Sequence, residues 1–156
     1  MIDRASEIEH YDKISRQVRG LTKDEGFSLW FEVPGRLPGL NDYINASKRH
    51  RGRDNAGNIL KRECQALISA HIPRHAKGQL YDKPVHVSFT FWEANRKRDP
   101  DNISAVAHKF ILDALVQDKV LKNDGMNIVR NIDDTWLLCP ESPRIEVSLY
   151  GIPGLA

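Results

Sequence analysis

The stretch Arg96-Lys-Arg-Asp-Pro-Asp-Asn-Ile-Ser-Ala-Val-Ala-His-Lys-Phe-Ile-Leu-Asp-Ala-Leu115 decides the fold of this chain. From Ile103 onward, apolar residues recur at steps of three and four, which predicts a helix with one apolar face. Asp99 and Asp101 precede that face, and Asp101 or Asn102 is expected to cap the helix. The sequence therefore predicts an acidic pair at the junction between a strand and a helix.

Two explanations of this acidic pair stay open from the residues alone. Carboxylates held close together repel each other, and a divalent cation relieves the repulsion. The run Asp99–Asn102 would equally serve as a strong helix cap in a turn, without any ligand.

Length and composition indicate one soluble globular domain. The chain has 156 residues, an apolar fraction of 40% and a charged fraction of 28%, which are ordinary values for such a domain. No apolar run approaches the roughly 20 residues that span a membrane, and the charged N-terminus does not resemble a signal peptide. Cys64 and Cys139 lack the spacing of a zinc site and suit a reducing compartment. We therefore expect a cytoplasmic protein with no membrane partner.

The order of the predicted elements indicates an α+β domain built on a single small mixed β-sheet packed with helices. Residues 1–26 are expected to form an N-terminal helical extension, residues 27–151 the domain and residues 152–156 a tail. Alternation predicts strands over 27–33, 84–92, 128–132 and 144–150. Helical spacing predicts helices over about 1–20, 41–47, 59–72 and 103–116. Asp133 and Asp134 are expected in a turn or at a strand end.

Cations and aromatic residues suggest contacts with nucleic acid, although the formal net charge is only +2. One cationic cluster contains Lys48, Arg49, Arg51 and Arg53, and the other contains Arg96, Lys97 and Arg98. Such clusters bind DNA phosphates by releasing counterions, but a solvated loop and helix face explains the first cluster equally well. The tryptophans Trp30, Trp92 and Trp136 are expected in the core or stacked on exposed bases.

Several known chemistries do not fit the acidic pair. An EF-hand loop starting at Asp99 would need glycine and glutamate where Ser104 and Phe110 stand. The histidines are scattered, and no glycine-rich phosphate-binding motif occurs, so neither a zinc hydrolase nor a nucleotide cofactor is supported. What remains is a set of carboxylates among cations: Asp99, Asp101, Asp113 and Asp124. That combination favours Mg²⁺ as the bound cation and phosphate as the bound anion.

The spacing of these residues resembles the RusA family of Holliday junction resolvases, particularly the forms carried by phages and prophages. The strong likeness rests on Arg98–Ile103, Lys109–Leu115 and Asn123–Asp124 and covers roughly 96–130. A weaker likeness extends over strand 27–33, Leu40–Tyr43 and strands 85–92 and 144–150. The resemblance implies a homodimeric endodeoxyribonuclease of DNA recombination and repair that requires Mg²⁺, with Mn²⁺ as an alternative. Its partner would be four-way DNA, nicked symmetrically in two opposed strands, in a bacterial or phage-infected cell.

The resemblance also implies roles for individual residues. Asp99, Asp101 and Asp124 would be the essential metal-binding acids, Asp113 a further acid near the metal, and Lys109 the catalytic cation. Asn41 and the two cationic clusters would contact DNA.

Lys109 departs from the family spacing, because it follows Asp101 by eight residues where the best-known member has four. One added helical turn moves the side chain by only about 6 Å and 40°, so that Lys109 would still reach the acids. A surface ion pair between Lys109 and Asp113 is the alternative role for both residues.

Two functional classes stay open. The first is a nuclease, acting on four-way junctions or on flaps and other branched DNA. It predicts that Asp99, Asp101 and Asp124 converge in a cleft rimmed by residues 48–53 and 96–98. The second is a non-catalytic module that binds junctions or assembles with them. It predicts dispersed acids, or acids neutralised by Arg96 and Arg98.

Overall fold

The computed structural model describes Glu9, residues 27–49 and residues 55–152. The helical extension predicted for residues 1–26 lies outside this part of the chain except for Glu9. The predicted tail, residues 152–156, also lies outside it except for Ile152. In chain order the elements are β1 (Ser28–Pro34), α1 (Leu40–Lys48), α2 (Ala56–His71), a short 3₁₀ helix (Arg74–Ala76), β2 (Val85–Glu93), α3 (Pro100–Gln117), β3 (Val129–Leu138) and β4 (Arg144–Gly151). None of the helices within residues 27–49 and 55–152 is both long and apolar enough to cross a membrane.

The four strands form one mixed sheet in the order β1-β4-β2-β3. Strand β4 pairs antiparallel with both β1 and β2, whereas β2 and β3 are parallel. Parallel neighbours need a crossover connection, and α3 provides it between β2 and β3. The predicted α+β class with a small mixed sheet is confirmed, while the homodimer and the N-terminal helix stay predictions.

The core lies between the sheet and the helices. Every second residue of β2 is completely buried, namely Val85, Val87, Phe89 and Phe91. The apolar stripe of α3 meets this face with Ile103, Ala107, Phe110, Ile111 and Leu115, all buried. The periodicity that predicts the helix therefore also identifies the surface by which α3 packs on the sheet.

Helix α3 begins earlier than its sequence pattern predicts. Asp99, not Asp101 or Asn102, is the N-cap residue, with an extended backbone (ψ 147°), and Pro100 is the first helical residue. Proline suits that position because its missing N–H is one that no helical carbonyl would accept, and its fixed φ matches the helix. Asp101 and Asn102 consequently lie within the first turn.

Strand β3 runs through Asp133 and Asp134, where a turn or strand end was expected. The two acids point to opposite faces of the strand, and each face supplies partners. Ser88 Oγ donates to Asp133 Oδ1 at 2.6 Å and the His86 ring bonds to the other oxygen of the same carboxylate. On the helical face, His108 Nε2 lies 2.7 Å from Asp134 Oδ1. These partners make adjacent acids compatible with a strand, which the sequence alone does not reveal.

The pairing of Asp133 predicts a defined loss of stability in acid. Burial acts to raise the pKa of Asp133, but the hydrogen bonds from His86 and Ser88 and the charge of His86 outweigh it, and the pKa falls below its usual 3.8. Such a carboxylate contributes stability above its unfolded pKa and loses it as the pH falls through the folded pKa. We expect Asp133→Asn to lower the free energy of unfolding at neutral pH, and its deficit relative to wild type to shrink below about pH 4.

Urea unfolding measured from pH 6 down to pH 2 checks this expectation. Thr135→Val, a neutral change on the same strand, is the control, because its difference from wild type involves no titrating group at position 135. A deficit of Asp133→Asn that stays constant over the whole range would contradict the assignment.

Candidate functional site

A buried ion cluster holds the loop that leads into α3. Glu93, the last residue of β2, is only 6% exposed. Its carboxylate lies 2.6 Å from Arg98 Nη2 and 2.9 Å from Arg36 Nε. Arg98 Nη1 also donates to the carbonyl oxygen of Leu37 at 2.7 Å. The cluster of Arg36, Glu93 and Arg98 thereby ties the loop after β1 to the loop after β2.

Arg98 is engaged within the protein. Its guanidinium bonds to Glu93 and Leu37, and only 16% of its side chain is exposed. In this arrangement it positions the loop, whereas Arg96 and Lys97 of the same cationic cluster are exposed. DNA contact by these three residues stays a prediction.

Asn102 joins the first turn of α3 to the start of α1. Its Oδ1 accepts a hydrogen bond from the backbone N–H of Asn41 at 3.0 Å. A β-carbon at Gly39 would lie 2.4 Å from Asn102 Nδ2, so the contact requires glycine there. The predicted DNA residue Asn41 is thus held at the N-terminus of α3 by its backbone, with an exposed side chain.

Asp99 and Asp101 are exposed carboxylates at this junction. Asp101 Oδ1 accepts from the backbone N–H of Asn102 at 3.0 Å, and Asp99 makes no capping hydrogen bond. In the described ranges neither residue forms an ion pair, because the adjacent Arg98 is bonded to Glu93. The positive end of the α3 dipole favours negative charge at this position. The site therefore presents two exposed carboxylates that no ion pair within the described part of the chain neutralises.

A pocket of about 320 Å³ opens beside Asp99, between the ends of β2 and β3 and the start of α3. Its apolar wall consists of Pro100, Ile103, Trp136, Leu137 and Leu138, and its polar wall of Glu93, Asn95, Arg96, Arg98 and Asp99. Asn95 and Glu93 are site residues that the sequence reasoning missed. The available signal was the position of β2, since ligands bind outside the carboxyl ends of parallel strands.

Asp124 lies at the other end of the fold. On one side of Asp124, the N–H of Lys122 donates to the carbonyl oxygen of Tyr81, just before β2. On the other side, the carbonyl oxygen of Gly125 accepts from the N–H groups of Ile128 and Val129. Strand β3 begins there, with Val129 beside Val85 at the start of β2. Asp99 lies beyond the opposite ends of both strands. The two ends are separated by the 18 residues of α3, which span about 27 Å.

One copy of the chain therefore does not bring Asp99, Asp101 and Asp124 together, contrary to the expected convergence. The physical reason is the crossover, because α3 returns the chain to the starting end of β2 before Asp124 is reached. Over residues 27–49 and 55–152, no three His, Cys, Asp or Glu residues are placed to share one metal ion.

Lys109 and Asp113 form the surface pair that the sequence offered as an alternative. Asp113 Oδ2 lies 3.2 Å from Lys109 Nζ and 3.3 Å from Lys61 Nζ on α2. Asp113 thus balances two lysines between α2 and α3 in this arrangement, and its role beside a metal ion stays a prediction. Lys109 stays 66% exposed and shares one exposed stripe of α3 with Asp101 and Ala105.

The first cationic cluster is described only in part. Lys48 and Arg49 are exposed at the C-terminal end of α1. Arg51 and Arg53 lie outside the described residues, so the expected rim of residues 48–53 stays a prediction.

Two carboxylates suffice for the metal that the resemblance implies. Mg²⁺ is commonly bound by one or two protein carboxylates, with water and substrate phosphate completing its shell. Asp99 and Asp101 supply such a pair, with no competing cation on either one in the described ranges. The donor set at the start of α3 therefore fits Mg²⁺ without Asp113 and without Asp124 of the same copy.

No family model matches this chain. A search of curated proteins likewise found no match.

The ion cluster yields a stability prediction. Glu93→Gln would leave Arg36 and Arg98 facing each other without a carboxylate, and we expect it to lower the free energy of unfolding by about 3 kcal/mol. Glu32→Gln is the matched control, because the Glu32 side chain is 47% exposed and lies 3.6 Å from Arg144 Nε. Removing such an exposed pair costs about 1 kcal/mol or less. Urea unfolding at pH 7 compares the two, and equal losses would contradict the structural role of Glu93.

Proposed function

We propose that this chain is a Mg²⁺-dependent, structure-selective endodeoxyribonuclease that nicks four-way DNA junctions as a homodimer. The observation that carries the proposal is the pair Asp99 and Asp101, exposed beside a pocket and without an ion-pair partner among the described residues, while the neighbouring Arg98 is bonded to Glu93. The resemblance of this stretch to the RusA family supports the same conclusion.

The residues around the pair suit a phosphodiester substrate. Mg²⁺, when bound, polarises a phosphodiester and activates water. Asp99 and Asp101 would hold the ion, and the exposed cations Arg96 and Lys97 would attract the DNA backbone. The bonds of Arg98 to Glu93 and of Asn102 to the start of α1 hold the backbone that carries the two acids before substrate arrives. Such preorganisation is what electrostatic catalysis requires.

A second copy of the chain would bring Asp124 to the site. Asp124 is separated from its own Asp101 by the length of α3, but two copies related by a two-fold axis can place each Asp124 beside the partner's acidic pair. The resulting dimer would have two equivalent sites. Two equivalent sites suit two symmetry-related strands of a four-way junction.

One observation favours a second candidate, a non-catalytic module that binds junctions. Within a single copy the acids are dispersed between the two ends of the sheet. Dispersed acids are the arrangement expected of that class. Cleavage assays separate the two candidates, because the module would bind junctions without cutting them.

Cleavage of a synthetic four-way junction tests the proposal directly. With Mg²⁺ we expect the wild type to make paired symmetric nicks in the junction and none in a linear duplex of the same sequence. Asp101→Asn should bind the junction but nick it at least about 100-fold more slowly, because a metal ligand stabilises transition-state charge by several kcal/mol. Asp82→Asn, at another exposed acid, is the control and should cut normally. If the wild type binds the junction and cuts with neither Mg²⁺ nor Mn²⁺, the chain is the binding module.

Mixing two inactive variants tests whether the site is shared between copies. In a mixed dimer of Asp101→Asn with Asp124→Asn, a shared arrangement leaves one site with both native acids. Random co-assembly makes half of the dimers mixed, and we expect about a quarter of the wild-type sites to be active. Nicking by the co-expressed pair measures this recovery. A mixture as inactive as either variant alone would show that the two acids do not act across the dimer.

A further inference from the structure

We propose that the pocket beside Asp99 takes one unstacked nucleobase of the bound DNA, while the adjoining phosphate lies at Asp99. The inference rests on the proposed function, since it takes DNA as the ligand. It adds a binding site for a base to the site for the phosphate.

The size and walls of the pocket fit this ligand. Its volume of about 320 Å³ lies at the lower limit of small-molecule sites, which suits a single nucleotide rather than a larger ligand. Trp136 is stacked on Phe91, with the ring centroids 5.7 Å apart and the planes 11° from parallel. Its position in the apolar wall is therefore fixed by packing. Extruded bases are held by such apolar and aromatic walls together with a few hydrogen-bonding groups.

The polar residues of the lining supply hydrogen-bonding groups. Asn95 offers an amide and Arg96 a guanidinium. The N–H of Lys97 donates to Asn95 Oδ1 at 3.0 Å, which fixes the Asn95 side chain against the loop. An amide and a guanidinium are groups that bind base edges.

The charge balance of the lining also permits a nucleotide. Glu93 would repel a phosphate if it were unpaired, but it lies between Arg36 and Arg98. Asp99 is then the carboxylate beside the phosphate. The proposed Mg²⁺ would bind at that same residue. The pocket and the acidic pair thus form neighbouring parts of one substrate site.

The pocket would explain selectivity for branched DNA. Extruding a base costs the free energy of pairing and stacking, which is smallest where a base is already unpaired or poorly stacked. Base pairs that flank an open branch point lack a stacking neighbour on one side, whereas those inside a continuous duplex are stacked on both sides. Occupation of the pocket would therefore favour phosphates beside the branch point.

Combining base removal with pocket filling tests the inference. Each nucleotide flanking the branch point is replaced in turn by an abasic residue, and binding of the labelled junction is measured by fluorescence anisotropy with Ca²⁺ in place of Mg²⁺. For the wild type we expect one position at which removing the base weakens binding about tenfold. Leu138→Trp fills the pocket from the half-buried end of β3 and should bind the intact and abasic junctions equally. Leu67→Trp, at an exposed position on α2, is the control and should behave as the wild type.

The outcomes separate this inference from the proposed function. If the wild type cuts the junction while no abasic position affects its binding, the base pocket is wrong and the nuclease stands. If Leu138→Trp keeps the full abasic effect, the base binds elsewhere and the inference is again wrong. If the wild type neither binds nor cuts branched DNA, both proposals fall. Leu138→Phe adds less volume and repeats the test if Leu138→Trp does not fold.

Discussion

The carboxylate of Glu93 between two guanidiniums is the interaction on which the site depends. It lies at the end of the central strand β2, where the chain leaves the sheet, and it is nearly inaccessible to solvent. A buried charge is tolerated only when it is paired and hydrogen-bonded. Arg98 supplies both a charge and a hydrogen bond, and Arg36 from a separate loop supplies a second opposite charge by ion pairing. Pairing one buried acid thereby fixes the course of the chain after β1 and at the entrance to α3. Within residues 27–49 and 55–152 it leaves Asp99 and Asp101 without an arginine partner.

The sequence predicts much of the fold because its strongest signals are local. The apolar stripe of α3 and the alternation in β2 each describe one element, and both elements occur as predicted. The predicted start of α3 and the predicted length of β3 were wrong for different reasons. Pro100 at the first helical position is a local signal that moves the cap to Asp99. The histidines that bond Asp133 and Asp134 instead come from distant parts of the chain, which a local pattern does not contain.

The candidate site was predictable in its residue types but not in its partners. The stretch after β2 correctly indicates exposed acids at a helix start. It gives no sign that Arg98 bonds to Glu93 while Asp113 bonds to two lysines, because the neighbours of a charge are set by packing. Nor does sequence spacing indicate that Asp124 lies at the far end of the sheet. That separation follows from the parallel pairing of β2 with β3, which fixes the direction of the connecting helix.

The length of α3 also sets how far apart the two acidic positions of one copy lie. One continuous helix joins the two ends of the sheet, so gaining or losing one helical turn would change the distance between its acidic start and Asp124 by about 6 Å. The apolar stripe of the same helix is buried against the sheet, and four added residues would rotate that stripe by about 40°. The spacing of the two acidic positions is therefore coupled to the packing of the core.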